Sequence, residues 1–385
     1  MSSVLQSSTL THEQLQGELV SELPALKIGD RISPLPIIQG GMSVGISLAG
    51  LASAVAREGG IGVIGTAGIG QLEFEPSVGF VEKNNNALRK EIRKARELSN
   101  GSGLLGVNIM VALSNFTDLA RTAIEEGIDV IFAGAGLPLN LPLLATDRMP
   151  TKLVPIVSSG RAARIIAKRW TEKYNYVPDA FVVEGPLAGG HLGFKLEQID
   201  DPEYGLEKLF PEVVIEARRL EERYGKPVPV IAAGGIYTGA DIYRFLQMGA
   251  SGVQMATRFV TTYECDAAIE FKQAYLAARP EDIVIIKSPV GLPGRAVRNA
   301  FIDDVNAGNR KPFKCPYHCI ITCDIVKSPY CIAMALVNAQ QGRLDNGFAF
   351  CGSNAHRATE IVSVKELVSA LRAEYQEAVR EAGGR

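Results

Sequence analysis

Short apolar runs recur through the first two thirds of the chain, and an amphipathic segment follows each of them. Eight runs are present, at residues 35–39, 61–64, 104–108, 129–132, 153–157, 180–183, 228–232 and 252–255. Runs of this length that are apolar at almost every position are typical of parallel strands covered by helices. The pattern therefore predicts an α/β fold in which strands and helices alternate.

Polar or glycine-rich residues follow almost every predicted strand. Examples are Gln39-Gly-Gly-Met42, Asn108, Ser158-Ser-Gly160 and Ala233-Gly-Gly-Ile236. A closed barrel of eight parallel strands gathers such residues on one face, whereas an open doubly wound sheet would concentrate them near one switch point. The distribution favours a (β/α)8 TIM barrel, with the open sheet as the alternative.

The chain divides into three parts by this pattern. A polar leader covers residues 1–29, the barrel covers 30–281, and a C-terminal extension covers 282–385. Within the extension, Ser288-Pro-Val-Gly-Leu-Pro-Gly294 is typical of a surface or lid loop, because Pro and Gly dominate it. A cysteine-rich segment comes next, and residues 362–377 predict a closing helix.

Composition and net charge indicate which kinds of molecule the protein is expected to bind. The chain is 46% hydrophobic and 21% charged, and 40 basic against 42 acidic side chains give a net charge of -2. This balance offers no broad electrostatic attraction for nucleic acid or an anionic membrane, so a small-molecule substrate is expected. No apolar run reaches the roughly 20 residues of a membrane helix, and a cytoplasmic location is expected. The sequence gives no prediction of the oligomeric state.

One histidine stands in a glycine-rich loop directly after the sixth predicted strand. The stretch is Val182-Val-Glu184-Gly-Pro-Leu187-Ala-Gly189-Gly190-His191-Leu-Gly193. Glycines let a backbone approach a ligand closely, and histidine is the side chain that titrates nearest neutrality. The loop predicts a planar ligand with a base beside it, although an ordinary turn with a hydrogen-bonded histidine would have the same composition.

Two further glycine or polar loops occupy the places where barrels of this kind bind phosphate. They are Ala232-Ala-Gly-Gly-Ile236 and Gln254-Met-Ala-Thr257, after the seventh and eighth predicted strands. Backbone N–H groups in these loops and the Thr257 hydroxyl are suitable donors to a phosphate. Together with Gly40-Gly41 and Asn108 they predict a phosphorylated planar cofactor, for which flavin mononucleotide (FMN) is the natural candidate.

At this point the chain resembles the nitronate monooxygenase family of FMN barrels, which also includes FMN-dependent enoyl-acyl-carrier-protein reductases. The resemblance spans roughly residues 34–259. It is carried by Pro36-Ile-Ile-Gln-Gly-Gly-Met42, Gly106-Val-Asn-Ile109, Ala188-Gly-Gly-His-Leu-Gly193, Ala232-Ala-Gly-Gly-Ile236 and Gly249-Ala-Ser-Gly-Val-Gln-Met-Ala-Thr-Arg-Phe259.

The resemblance implies roles for individual residues. His191 would lie over the flavin face as the catalytic residue. Residues implied to bind FMN, including those within the same motifs, are Gly41, Met42, Asn108, Glu184, Gly189, Gly190, Gly234, Gly235, Gln254, Met255, Ala256 and Thr257.

The implied activity is oxidation of a small nitronate, with His191 taking the α-proton when the substrate is a neutral nitroalkane. One alternative is an enoyl-thioester or quinone reductase that uses NAD(P)H as electron donor. Another is a flavin protein that senses redox state without catalysis. Leu187 replaces the usual acidic residue before Ala-Gly-Gly-His, a departure from the family that bears on the substrate. In addition, Glu184 stands where Gln is frequent, and Ala256 stands where Gly is usual.

Four of the six cysteines crowd into the extension, at Cys315, Cys319, Cys323 and Cys331. The spacing of four between the first three would place them on one face if the segment were helical. Four thiolates are the ligand set of a [4Fe–4S] cluster, and the spacing differs from the usual zinc pattern. Packed or redox-active thiols are an equally open interpretation.

Overall fold

The structure is a computed structural model of the chain. It describes residues 22–72, 77–145, 149–309, 311, 313–315 and 318–383. Most of the predicted leader, residues 1–21, therefore lies outside the described residues.

Strands and helices alternate through the barrel, and helices dominate the C-terminal third. The strands are β1 Leu26–Ile28, β2 Arg31–Ser33, β3 Ile37–Gln39, β4 Ile61–Gly65, β5 Leu104–Met110, β6 Val130–Gly134, β7 Lys152–Val157, β8 Phe181–Glu184, β9 Gly190–His191, β10 Val230–Ala233, β11 Gly252–Met255, β12 Ile283–Lys287 and β13 Pro293–Val297. The helices are α1 Ala49–Arg57, α2 Phe80–Ser99, α3 Phe116–Glu125, α4 Gly160–Tyr174, α5 Leu206–Tyr224, α6 Gly239–Gln247, α7 Thr257–Val260, α8 Ile269–Ala277, α9 Ala300–Asn306, α10 Ile332–Gln340 and α11 Val364–Gly383.

Eight strands close into a barrel in the order β10-β11-β3-β4-β5-β6-β7-β8. All of its pairings are parallel. Each of the eight predicted apolar runs supplies one of these strands, so the prediction of a (β/α)8 barrel is confirmed and the open sheet is excluded. The strands are apolar throughout because one face packs inside the barrel and the other packs against helices.

An antiparallel hairpin of β1 and β2 precedes the barrel. Leu26 and Ile28 of this hairpin are buried in the same apolar cluster as the interior side chains of the barrel, such as Val63 and Phe132. The end of the segment predicted as a leader is thus part of the core. The short run of alternating residues was too brief to predict a strand.

A carboxylate from a distant loop holds the first barrel helix. Asp266 accepts hydrogen bonds from the backbone N–H groups of Leu48, Gly50 and Leu51, at 2.7, 3.1 and 3.1 Å. These are the unpaired donors at the start of α1, and a carboxylate there also interacts favourably with the helix dipole. The contact fixes the position of the glycine loop that joins β3 to α1.

The C-terminal part packs on the barrel and forms a cap over its upper face. Strands β12, β13 and β9 make a small antiparallel sheet, in which Gly294 pairs with His191. Residues 288–294, predicted as a lid loop, are the tip of this hairpin and the start of β13. The β-branched run Ile283-Val-Ile-Ile286 was the signal for a strand. The predicted closing helix is present as α11, which extends to Gly383.

The cysteine-rich segment is not helical. Between α9 and α10 the described residues form turns and irregular structure. The helical condition under which Cys315, Cys319 and Cys323 would share one face is therefore not met in the described residues. No helix in the part of the chain that the structure describes is long and apolar enough to cross a membrane.

Candidate active site

The carboxyl ends of the barrel strands surround a cavity of about 520 Å³, which the C-terminal cap covers from above. This face is where TIM-barrel enzymes place their active sites. The residues predicted to bind a cofactor all line this cavity together with His191: Gly41, Met42, Asn108, Glu184, Gly189, Gly190, Gly234, Gly235, Gln254, Met255, Ala256 and Thr257.

The loop after β3 has no room for a side chain at position 41. A Cβ at Gly41 would lie 2.5 Å from the Cβ of Asn108 and 2.9 Å from Val63. Ser47 holds this loop from below, since its hydroxyl accepts from the Met42 N–H at 2.8 Å and donates to the Val63 carbonyl. The backbone at Gly41 therefore packs closely against Asn108 and Val63, and Gly41 and Asn108 both line the cavity.

The loops after β10 and β11 form the other end of the cavity. Gly234 has a φ of +91°, a conformation that glycine adopts without strain. A loop from the cap completes this end: the Gly352 N–H donates to the Thr257 hydroxyl at 3.1 Å, and Asn354 donates to the Gly235 carbonyl at 2.8 Å. Sequence reasoning missed Gly352 and Asn354. The run Cys351-Gly-Ser-Asn354 is a turn-forming pattern. It indicated a loop, but not that this loop contacts the loops after β10 and β11.

Two polar side chains flank β10 at the same level of the barrel. Ala233 is in register with Glu184 on one side and with Gln254 on the other. The side-chain amide oxygen Oε1 of Gln254 is buried and has no hydrogen-bond partner among the described residues. Burial raises the pKa of Glu184 to about 7. A buried, unsatisfied acceptor is costly, so a ligand with an N–H group suits this position.

His191 lies in β9 and is held on two sides by the cap. Its Nε2 is 2.7 Å from the hydroxyl oxygen of Ser288, at the hairpin tip. The edge of its ring meets Phe350, with ring centroids 4.9 Å apart. Burial lowers the pKa of His191 to about 4, so the imidazole is neutral at neutral pH.

A buried arginine fixes the loop that leads to the histidine. Arg295 of β13 donates to the carbonyl oxygens of Pro186 and Ala188 at 2.7 and 2.5 Å, and only 5% of the residue is exposed. Sequence reasoning missed both Arg295 and Ser288, because they are more than 90 residues from the loop that they hold. No local sequence pattern indicates these contacts.

Leu187, which stands in place of an acidic residue, lies at the mouth of the cavity. It lines the cavity and is 47% exposed. A Cβ at Gly235 would lie 3.0 Å from the Leu187 side chain. The mouth is therefore apolar beside the loop that carries His191.

The cysteines are only partly associated with this site. Cys319 lines the cavity, and Cys315, Cys323 and Cys331 lie outside its lining. All four are free thiols of intermediate exposure, whereas Cys265 and Cys351 are buried. Within the described residues, no group of three or more His, Cys, Asp or Glu side chains is arranged to hold a metal ion.

Comparisons with known proteins agree with this geometry. The family model of nitronate monooxygenase matches residues 29–374. A protein named "Probable nitronate monooxygenase" from Staphylococcus saprophyticus is 26% identical over 312 residues, which cover 73% of this chain and 82% of that protein. One of the same name from Staphylococcus aureus is 27% identical over 296 residues, covering 70% and 77%.

Two solved structures share the fold. FabK from Thermotoga maritima has a TM-score of 0.68 and 28% sequence identity, with 91% of this chain and 95% of that chain covered. A nitroalkane oxidase from Streptomyces ansochromogenes has a TM-score of 0.67 at 22% identity, with 91% and 97% covered. The family match extends over nearly the whole described chain and includes every loop around the cavity. The chain therefore belongs to the nitronate monooxygenase family, and it is an FMN-dependent oxidoreductase.

Proposed function

We propose that the protein is a cytoplasmic enzyme that oxidises small nitronates, and that His191 is the general base when the substrate is a neutral nitroalkane. The observation that carries the proposal is the neutral imidazole of His191 on the wall of the cavity, with its Nε2 already bonded to Ser288. A base must be unprotonated before it can take a proton, and burial keeps His191 in that form.

The cavity fits FMN on the chemistry of its donors and acceptors. The unsatisfied side-chain oxygen Oε1 of Gln254 is a suitable acceptor for an N–H of the flavin ring, and Gly41 and Asn108 line the same cavity. Gly234, Gly235 and Thr257 would hold the phosphate through backbone N–H groups and a hydroxyl. When bound, FMN supplies the electron-accepting chemistry that protein side chains lack.

The hydrogen bond to Ser288 determines which ring nitrogen acts. If the Nε2–H of His191 donates to the Ser288 hydroxyl oxygen, the lone pair of Nδ1 is left to accept the α-proton of a nitroalkane. No described residue is hydrogen-bonded to Nδ1. After proton transfer, the hydroxyl of Ser288 still accepts from Nε2–H and so supports the charged ring.

Apolar walls favour a substrate with a short hydrocarbon chain. Met110, Ile156, Leu187, Leu292 and Ile320 line the cavity. The cavity of about 520 Å³ must hold the flavin as well as the substrate, so little room remains for a long chain. Leu187 at the mouth offers neither charge nor a hydrogen bond to a polar substrate tail.

The test uses anaerobically purified holoprotein. We expect flavin bands in its absorbance spectrum, bleaching on addition of the nitronate of 2-nitropropane, and oxygen uptake in air. Rapid bleaching by NADH or NADPH, with no response to nitronate, would instead assign a reductase. Failure of the protein to bind FMN on reconstitution would overturn the whole proposal.

The variant His191→Asn separates an enzyme from a sensor. Asparagine keeps a polar side chain of similar length but has no basic nitrogen. We expect this variant to retain FMN and to lose turnover of the nitroalkane. An unchanged rate with full FMN content would show that His191 does not act as the base. A parent protein that binds FMN but turns over neither nitroalkane nor nitronate would favour a redox-sensing protein.

A further inference from the structure

His191 and Phe350 lie side by side on one face of the small sheet in the cap. Gly294 of β13 pairs with His191 of β9, and Ala296 of the same strand forms a β-bridge with Phe350. Because β12 occupies the other edge of β13, β9 and Phe350 follow one another along the same edge. Residues two positions apart on a strand point to the same face. The two side chains are therefore neighbours, and their ring centroids are 4.9 Å apart at an interplanar angle of 67°.

The absence of a side chain at Gly294 leaves room for the ring of Phe350. A Cβ at Gly294 would lie 2.7 Å from Cε1 and 3.2 Å from Cζ of Phe350. Gly294 does not have a positive φ, so glycine is needed here for close approach and not for a turn. The ring of Phe350 thus covers the position directly opposite His191, and it also lines the cavity.

Two buried aromatic residues hold Phe350 in place. The hydroxyl of Tyr275, in α8, donates to the Phe350 carbonyl oxygen at 2.5 Å. The ring of Phe348 meets the ring of Phe350 at an angle of 87°, with centroids 5.1 Å apart. Tyr275 and Phe348 are both buried. Close packing of this kind restricts the rotation of a ring, so the surface that Phe350 presents to His191 is fixed.

The hydrogen bond to Ser288 does not fix the imidazole by itself. A single bond at Nε2 leaves the ring free to turn about the line from Nε2 to the Ser288 hydroxyl oxygen. The contact between the rings of His191 and Phe350 opposes this rotation. Two contacts from different parts of the cap, the hairpin tip and the segment after α10, together determine the plane of the imidazole.

Charged groups do not explain the environment of the ring, since burial is what lowers the pKa of His191. On the elements around it, Arg295 donates to two loop carbonyls, and Lys287 is exposed to solvent. Glu184 lines the cavity at the end of β8. The Cys351 thiol is neutral, because burial raises its pKa to about 12. Apolar surface against an imidazole disfavours the charged form, and the neighbouring phenyl ring supplies such surface.

We propose that Phe350 is a positioning residue for the base: its ring sets the plane of the His191 imidazole and keeps water away from it. A misplacement of about 1 Å in a reacting group can cost about 100-fold in rate, so the plane of the ring matters for proton transfer. This inference rests on the proposed role of His191 in nitroalkane turnover. One of its tests therefore does not require turnover.

The first test follows the protonation of His191 by NMR in holoprotein labelled at its histidines, with His191→Asn used to identify the signal. In Phe350→Ala water reaches the ring, so the midpoint of the titration should move up by about one pH unit or more, toward the ordinary value of 6.5. An unchanged midpoint in a Phe350→Ala protein with full FMN content would overturn the proposal. The result is decisive even if the protein oxidises no nitronate.

The second test compares 2-nitropropane, which needs the base, with its preformed nitronate, which does not. In Phe350→Ala the ratio of kcat/KM for the nitroalkane to kcat/KM for the nitronate should fall about tenfold or more. Phe350→Leu keeps apolar bulk without a flat ring, so its ratio should lie between those of the alanine variant and the parent. An unchanged ratio, or an equal loss on both substrates, would overturn the proposal.

Phe210→Leu is the matched control for Phe350→Leu. Phe210 is a buried residue of α5 whose ring centroid is 6.2 Å from that of Phe245, and it does not line the cavity. The control should keep both the ratio and the titration of His191. If Phe350→Ala does not bind FMN, Phe350→Leu decides the question. A ratio about threefold or more below that of Phe210→Leu supports the proposal, and equal ratios overturn it.

Discussion

His191 Nε2 and the Ser288 hydroxyl oxygen are 2.7 Å apart, although 97 positions separate the two residues in the sequence. The histidine comes from the loop after a barrel strand, and the serine comes from the tip of a hairpin in the cap. Only 3% of Ser288 is exposed, so water does not compete strongly for this bond. The serine thereby fixes the orientation of the proposed base.

Replacing Ser288 by alanine should weaken proton abstraction and spare the later steps. Without the hydroxyl the ring can rotate and change tautomer, so kcat/KM for a neutral nitroalkane should fall about tenfold. The preformed nitronate needs no base, and its kcat/KM should change little. Steady-state kinetics with both substrates test this expectation.

A matched control is Ser99→Ala, a buried serine at the end of α2 whose hydroxyl donates to the Arg96 carbonyl at 3.1 Å. It should leave both rates unchanged. An equal loss on nitroalkane and nitronate in Ser288→Ala would indicate a structural role for the serine instead.

The pKa of about 4 for His191 predicts how the rate of nitroalkane turnover depends on pH. A lowered pKa leaves His191 unprotonated at neutral pH, so its contribution to nitroalkane turnover should be lost only as the pH falls through about 4. In His191→Asn the rate should fall by about 10²–10⁴-fold over the whole range. A histidine-dependent decline centred near the ordinary value of 6.5 would contradict the burial of the ring in the holoenzyme.

Glu184 should impose a second and separate pH dependence. Its pKa is raised by burial from 4.5 to about 7, so the folded protein binds a proton more tightly than the unfolded chain does. The free energy of unfolding of the apoprotein should therefore decrease as the pH rises from 4.5 to about 7. The upper limit of this change in unfolding free energy is about 3 kcal/mol. The actual change should be smaller, because the carboxyl lines a cavity that water can enter.

Glu184→Gln removes this titration and keeps the size of the side chain. Denaturant unfolding of apoprotein at several pH values should show a smaller pH dependence in the variant than in the parent. If the two proteins respond equally to pH, another group is responsible.

Gly41→Ala should weaken FMN binding. The added Cβ would come within 2.5 Å of Asn108, and the loop must move into the cavity or away from it. Overpacking of this kind costs about 1–3 kcal/mol, which corresponds to about 5- to 150-fold in the dissociation constant. Flavin fluorescence titration of the apoprotein measures the constant directly.

Gly79→Ala is the matched control, because a Cβ at this position meets no atom within 4 Å and the residue has no positive φ. It should bind FMN as the parent does. Unchanged binding in Gly41→Ala would mean that the cavity admits the ligand from another side.

The barrel was predictable because its signals are local. An apolar run such as Val182-Val183 identifies a strand from neighbouring positions alone, and a glycine loop after it indicates the active face. The fold of the cap was harder to predict from the sequence. Its hairpin contains Pro and Gly at the tip, which masked the β-branched residues that form the strands. A spacing of four between cysteines is compatible with a helix but does not establish one, and the described residues of that segment form turns and irregular structure.

The sequence motifs identified residues that share one cavity, but not the contacts that arrange them. Motif residues such as Gly41, Gln254 and His191 all line the cavity. Ser288 and Arg295, which hold the histidine loop, could not be found in this way, because contacts between distant segments depend on the packing of the cap on the barrel.

The position of His191 in a sheet with β13 has a consequence for how the protein matures. A nascent chain that has emerged as far as β11 already carries all eight barrel strands and most of the glycine loops. It lacks the serine that orients the base, the arginine that holds the loop, and the glycine that bonds to Thr257. The loops that line the cavity are thus synthesised well before the residues that hold His191 in place. The site is complete only when the last third of the chain has packed on the barrel.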